Sequence, residues 1–128
     1  MLKDRNASAI VAVSDLARAR AFYEDTLGLT RDGGSEDQGV LGFRTGATHL
    51  TVYRSDFAGT NKANAVTWDM KGDLLAVVDD LRAKGVTFEH YPDMGLTLNG
   101  DIHEAGPMKL VWFKDPDGNI LHLIEGME

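Results

Sequence analysis

The chain has 128 residues, of which 43% are hydrophobic, and this length and composition suit one domain with a substantial core. It contains no cysteine, which excludes disulfides, thiolate metal ligands and cysteine nucleophiles. The formal net charge of −7 disfavours nucleic acid and anionic membranes as partners. The sequence shows neither an apolar run of about 18 residues nor the apolar region of a signal peptide, so we expect a cytoplasmic protein.

The first half of the chain predicts a strand, a helix and three further strands. Asp15 offers a helix cap after a β-leaning run, and Gly28 offers a stop signal after an apolar helical face. The predicted elements, in order, are a strand at Ala9–Val13, a helix at about Asp15–Leu27, a strand starting at Leu29–Arg31, a polar loop at Asp32–Gly39, and strands at Val40–Arg44 and Thr48–Tyr53.

The second half repeats this order after a polar linker over residues 54–64. Asp73 is a possible cap for a helix whose apolar residues recur at i, i+3, i+4 and i+7 from Leu74. Asp115-Pro116-Asp117-Gly118 predicts a type I turn between two antiparallel strands. The predicted elements are a strand at Ala65–Met70, the helix ending at Lys84-Gly85, a strand at Val86–Glu89, a long loop over residues 91–107, and strands at Leu110–Lys114 and Ile120–Glu125.

The chain is therefore predicted to contain two βαβββ modules, which is an α+β fold. Module one spans residues 7–53 and module two spans residues 65–128, within a single domain.

With this organisation, the sequence resembles the vicinal oxygen chelate superfamily, which includes glyoxalase I, the extradiol dioxygenases and the bleomycin-resistance proteins. The resemblance covers nearly the whole chain and is carried by Val13-Ser14-Asp15, by Phe22-Tyr23 with Leu27-Gly28-Leu29, and by Phe113 to Asn119 (FKDPDGN). It implies that the two modules form a curled mixed-sheet cup with helices outside and a ligand inside, the glyoxalase-like fold. It also implies a homodimer, which would cover exposed sheet edges.

Strand alternation assigns faces within that cup. Leu50 and Val52 should meet helix one, and Leu121 and Leu123 should meet helix two. One of Trp112 and Phe113 must be core while the other lines the pocket, and alternation alone leaves that choice open. The residues predicted to bind a small-molecule ligand are Ser8, Ile10, His49, Thr51, Tyr53, Thr67, Tyr91, Trp112 and His122.

The resemblance also identifies four positions at which metal-binding members place their ligands. Carried over residue by residue, they are Ser8, His49, Ala65 and His122, with Val66 as an alternative for the third. Two imidazoles make an incomplete site, because a catalytic metal usually takes three protein ligands. We therefore expect no cofactor, although a divalent metal on His49 and His122 stays open if Asp69 or Glu125 supplies a carboxylate.

Two functions follow from the resemblance. The first is a metal-free small-molecule-binding protein similar to the bleomycin-resistance branch. The alternative is a metal-dependent lyase, isomerase or dioxygenase. A third possibility is metal-free catalysis, with His49 or His122 as general base. His90 and His103 are interpreted as ordinary surface histidines.

Overall fold

The computed structural model describes residues 1–126, which form an α+β structure with two β-sheets and two α-helices. The α-helices are α1 (Leu16–Arg20) and α2 (Leu74–Ala83). The strands are β1 (Ala9–Val13), β2 (Thr30–Ser35), β3 (Val40–Thr45), β4 (Thr48–Arg54), β5 (Asn64–Asp69), β6 (Phe88–Glu89), β7 (Thr97–Asn99), β8 (Ile102–Ala105), β9 (Met108–Lys114) and β10 (Ile120–Glu125).

The first sheet has the strand order β1-β4-β3-β2, in which β1 and β4 run parallel and the other pairs run antiparallel. Alternation follows the prediction: Leu50 and Val52 of β4 are fully buried, whereas His49, Thr51 and Tyr53 are at least partly exposed. This sheet therefore has one apolar face and one face with polar and exposed side chains.

Helix one begins where the sequence predicts, because the Asp15 side chain accepts a hydrogen bond from the Arg18 amide at 3.0 Å. It does not continue as a regular α-helix to Leu27. Residues Ala21–Thr26 form a π-helical segment, in which the amide of Leu27 donates to the carbonyl of Phe22. Tyr23 lies within this wider segment, fully buried, with its ring 5.9 Å from that of Phe43.

The second sheet has the strand order β5-β10-β9-β8-β7, and β6 also pairs with β9. Strands β5, β10, β9 and β6 repeat the neighbour order of the first sheet, so the two-module βαβββ prediction is confirmed. Helix α2 packs against β10. Its amide at Leu74 donates to Oε1 of Glu125 at 3.1 Å, whereas the predicted cap, Asp73, makes no side-chain capping bond.

Two segments predicted as loops contain strands. β2 continues through Gly33-Gly34 with a shifted register between Arg31 and Gly34. Glycine is required at position 34, because a Cβ there would collide with the carbonyl of Val40. Within residues 91–107, β7 and β8 form a hairpin around Gly100, whose φ is 64°. The two residues between the paired Asn99 and Ile102 are Gly100-Asp101, a hairpin turn signal that the prediction of a loop did not take into account.

The turn between β9 and β10 adopts the predicted form, with the Gly118 amide donating to the carbonyl of Asp115 at 2.9 Å. Asp117 in this turn accepts hydrogen bonds from the amide and the hydroxyl of Ser14, at 3.1 and 2.6 Å. Arg18 also donates to Asp117, at 3.1 Å. Ser14 and Asp117, which are among the residues that carry the family resemblance, thus contribute hydrogen bonds that stabilise the fold.

The contacts divide the chain into two compact units. The first unit comprises Met1–Ala65 with Asp115–Asn119, and the second comprises Val66–Lys114 with residues 120–126. No helix within the described residues is long and apolar enough to cross a membrane.

Candidate functional site

The predicted ligand residues of module one lie mostly on one face of the first sheet. In the parallel β1–β4 pair, Ile10 lies opposite Thr51 and Ala12 lies opposite Tyr53. Ile10 is 62% exposed and Tyr53 is 37% exposed, so large apolar surface is open on this face. Ser8 is exposed and lies just before β1. The structure thus brings Ile10, Thr51 and Tyr53 together.

His49 has an orienting carboxylate that the sequence did not reveal. Its Nε2 donates to Oδ2 of Asp32 at 2.7 Å, and Arg44 donates to the same oxygen at 2.9 Å. The hydrogen bond from His49 and then the charge of Arg44 hold the pKa of the Asp32 carboxyl below its usual range. The sequence placed Asp32 in a loop; its position on β2, two strands away from β4, creates the contact.

In the second unit, the rings of Tyr91, His103, Trp112 and His122 form one connected group, here called the aromatic cluster. Trp112 and His122 are cross-strand partners in β9 and β10, and their rings stack with centroids 4.7 Å apart and planes 17° apart. Tyr91 meets Trp112 edge-on, at 5.3 Å and 82°. The cluster joins three of the predicted ligand residues, and Thr67 lies exposed on β5 of the same sheet.

The stack shows that Trp112, and not Phe113, lies on the same face of the sheet as His122. Trp112 shares a face with His122, and with Leu110 and Ile124 it forms an apolar group. Phe113 is on the opposite face, where it pairs with Leu121.

His103 is fully buried, so its interpretation as a surface histidine is wrong. Its Nε2 accepts a hydrogen bond from the backbone amide of Tyr91 at 2.9 Å, and its ring lies 4.9 Å from that of Trp112. Its Nδ1 completes no hydrogen bond among the described residues. The pairing of His103 with Leu110 in β8 and β9 directs it to the face that carries Trp112. Sequence reasoning missed it because the segment was interpreted as a loop.

Burial lowers the pKa of both His103 and His122 below the ordinary histidine value. The Nδ1 of His122 donates to the carbonyl of Val111 at 3.0 Å, which leaves Nε2 as the unprotonated nitrogen of the neutral ring. Both buried imidazoles are therefore neutral near pH 7. They offer hydrogen bonding and flat surface rather than charge.

The four positions that the resemblance identified do not supply a complete set of metal ligands. Of the four carried-over positions, Ser8 and Ala65 supply no ordinary ligand, and the Nε2 of His49 is engaged by Asp32. Glu125, one possible source of a carboxylate, accepts the Leu74 amide instead. Within residues 1–126, no three side chains of His, Asp or Glu form a group that could hold a metal ion.

Similar folds occur in solved structures of proteins with different activities. One is the bleomycin-binding protein of Streptomyces verticillus in complex with copper(II)-bleomycin, at 23% identity and a TM-score of 0.70, with 98% of this chain and 99% of that chain covered. Another is the lactoylglutathione lyase of Agrobacterium tumefaciens, at 19% identity and a TM-score of 0.71, with 95% and 93% covered. A third is a fosfomycin resistance protein of Listeria monocytogenes in complex with Mn(II) and sulfate, at 14% identity and a TM-score of 0.70, with 96% and 90% covered.

These identities establish similarity of fold alone. A family model matches residues 6–123, nearly the whole chain. The chain therefore belongs to the glyoxalase/bleomycin resistance protein/dioxygenase superfamily.

Proposed function

We propose that this protein binds a small, flat organic molecule without a resident metal. The observation that carries the proposal is the stack of Trp112 on His122, with Tyr91 edge-on to the indole. Aromatic and imidazole rings give flat apolar surface, and the few polar atoms among them provide orientation. The exposed face with Ile10, Thr51 and Tyr53 is the second surface that we assign to ligand binding.

The charges favour a ligand that carries positive charge. The net charge of −7 attracts cations. Glu89 is the cross-strand partner of Trp112, so a carboxylate lies on the face of the stack, although Lys114 pairs with it at 3.4 Å. A planar cation would therefore stack on the aromatic rings and be attracted by the carboxylate.

The experiment is a titration that uses the two tryptophans as reporters. Trp68→Phe leaves Trp112 as the only indole, and its emission is followed while metal-free bleomycin or the planar cation proflavine is added. We expect saturable quenching with a Kd below about 1 mM, which corresponds to a binding free energy of about −4 kcal/mol or stronger. The matched protein Trp112→Phe retains Trp68 and should show no such quenching. Saturable quenching of equal size and affinity in both proteins, or in neither, contradicts the proposal.

A second candidate function, metal-free proton transfer, is favoured by the contact of His49 with Asp32. A carboxylate that holds one imidazole nitrogen can position the ring as a general base, which is worth roughly 10²–10⁴ in rate. The test is isomerisation of the methylglyoxal–glutathione hemithioacetal in the presence of a chelator. Activity that falls in both Asp32→Asn and His49→Gln supports this function, and absence of activity in the unaltered protein contradicts it.

We further propose a cytoplasmic homodimer with neither nucleic acid nor membrane as partner. The acidic balance and the open strand edges support it. Light scattering should give a particle of twice 14.0 kDa. A monomer at micromolar concentration contradicts the proposed assembly.

A further inference from the structure

We propose that residues 91–99, here called the strap, form a displaceable cover over the aromatic cluster, and that a planar aromatic ligand takes the place of Tyr91 against Trp112. The hydrogen bond from the Tyr91 amide to His103 is the latch that holds the strap closed. This inference rests on the proposed small-molecule function and adds to it the route of entry and the residue that controls entry.

The strap is attached to the second unit by the short β7–β8 pairing and by a few side chains. Tyr91 and Leu96 are the strap residues that pack against the apolar group of Leu110, Trp112 and Ile124. The strand within the strap, β7, is the edge strand of its sheet, and all three of its residues are exposed. Segments with little buried apolar surface and exposed backbone open at low free-energy cost.

The ends of the strap allow such a movement. Gly95 interrupts the strap at φ 76°, and Gly100 follows it at φ 64°. Glycine adopts these left-handed conformations and extended ones with little steric cost, so the backbone can rotate at both points. Met94, which lies between Tyr91 and Gly95, is 52% exposed and leaves that part of the strap weakly anchored.

The latch is a single hydrogen bond to a buried acceptor. His103 is fully buried, its Nε2 accepts the Tyr91 amide at 2.9 Å, and its Nδ1 completes no hydrogen bond within residues 1–126. The accepting Nε2 fixes the proton of the neutral ring on Nδ1.

The latch also depends on the charge of His103, because a protonated Nε2 cannot accept the Tyr91 amide. Two titratable rings lie near His103: that of Tyr91 at 6.1 Å and that of His90 at 6.3 Å. His90 donates to Asp101 at 2.8 Å, and Asp101 also accepts from Arg82 at 2.6 Å.

The other elements around His103 present no charge to it. β9 directs Leu110 and Trp112 towards the ring, and β7 consists of Thr97, Leu98 and Asn99. Acid should therefore release the strap, since no carboxylate within residues 1–126 bonds to the imidazolium that forms.

The first arm of the test needs no ligand. Hydrogen exchange of the Tyr91 amide is measured at pH 7.5 and corrected for intrinsic rates, in the unaltered protein and in His103→Phe. Loss of the acceptor should speed exchange by about tenfold or more. His103→Asn keeps a hydrogen-bond acceptor and is the second variant in case His103→Phe does not fold. It should show a smaller increase in the exchange rate of the Tyr91 amide. His90→Gln is the matched control and should leave exchange unchanged. Equal exchange rates of the Tyr91 amide in His103→Phe and in the unaltered protein would refute the claim that the hydrogen bond to His103 holds the strap closed.

The second arm measures proflavine association by stopped flow in the Trp68→Phe background. If the strap is a gate, His103→Phe should bind proflavine with a faster association rate, and so should the unaltered protein at pH 5.5 compared with pH 7.5. Faster exchange with an unchanged association rate overturns the gate but leaves the proposed function standing. Faster exchange with no binding of proflavine or bleomycin in any variant overturns the proposed function and the ligand part of this inference together.

Discussion

The hydroxyl of Tyr23 donates a 2.7 Å hydrogen bond to Oδ2 of Asp115, across 92 positions of the sequence, in a fully buried setting. The same carboxylate accepts the amides of Asp117 and Asn119 through Oδ1, and the side chain of Asn119 donates on to the carbonyl of Ala12. The turn between β9 and β10 is therefore tied to β1 and to the π-helical segment that follows α1. Burial and the negative charge of Asp115 raise the pKa of Tyr23 above its ordinary value, so it stays a donor.

Removing the Tyr23 hydroxyl should destabilise the protein while leaving its fold intact. Tyr23→Phe deletes one hydrogen bond to a buried carboxylate, and we expect a loss of about 1–3 kcal/mol in the free energy of unfolding. Urea denaturation followed by far-UV circular dichroism measures it. Tyr53→Phe is the control, because Tyr53 is 37% exposed. Equal stabilities of the two variants would show that the hydrogen bond to Asp115 has no net effect.

The cap of α2 can be tested against the residue that the sequence favoured. Glu125→Ala removes the acceptor of the Leu74 amide and should cost about 0.5–2 kcal/mol, the usual range for a lost helix cap. Asp73→Ala should cost less, because its side chain makes no capping bond. Thermal unfolding of both variants gives the comparison. A larger loss in Asp73→Ala than in Glu125→Ala contradicts the assignment of the cap.

Acid should destabilise the protein in a window that begins near the ordinary histidine pKa of about 6.5. Because burial lowers the pKa of His103 and His122 in the folded state, the unfolded chain takes up protons first. Stability is therefore fully present above this pH and falls below it, by up to about 1.4 kcal/mol per pH unit for each histidine.

The measurement for this window is urea unfolding at several values between pH 8 and pH 5. The double variant His103→Gln with His122→Gln should flatten the dependence. Asp32 and Asp101 do not interfere, because their lowered pKa values affect stability only below about pH 4. An unchanged slope in the double variant would refute the role of the two buried imidazoles.

Metal analysis tests the interpretation of the donor set. Protein incubated with Zn, Ni, Fe or Mn salts and then desalted should retain much less than one ion per chain, because two imidazoles without a third ligand hold a metal weakly. The measurement is elemental analysis of the unaltered protein and of His49→Ala with His122→Ala. About one ion per chain that disappears in the double variant would replace the binding proposal with the metalloenzyme alternative.

The sequence by itself determined the elements whose signals are local. Period-two alternation located β1, β3 and β4, and it predicted correctly that Leu50 and Val52 would be buried. The Asp-Pro-Asp-Gly turn predicted the β9–β10 hairpin, because its conformation depends on the φ preferences of adjacent residues. Gly100-Asp101 carries a similar local signal, but the segment was predicted as a loop, so the β7–β8 hairpin was missed.

Only the tertiary structure decided which distant groups meet. The cap of α2 comes from Glu125, 51 positions away, and the partner of His49 comes from another strand, Asp32. Period-two alternation could not choose between Trp112 and Phe113, because both faces of this sheet are buried and apolar residues occupy each. His103 became a buried latch rather than a surface histidine because β8 pairs with β9, and strand pairing depends on the whole chain rather than on neighbouring residues.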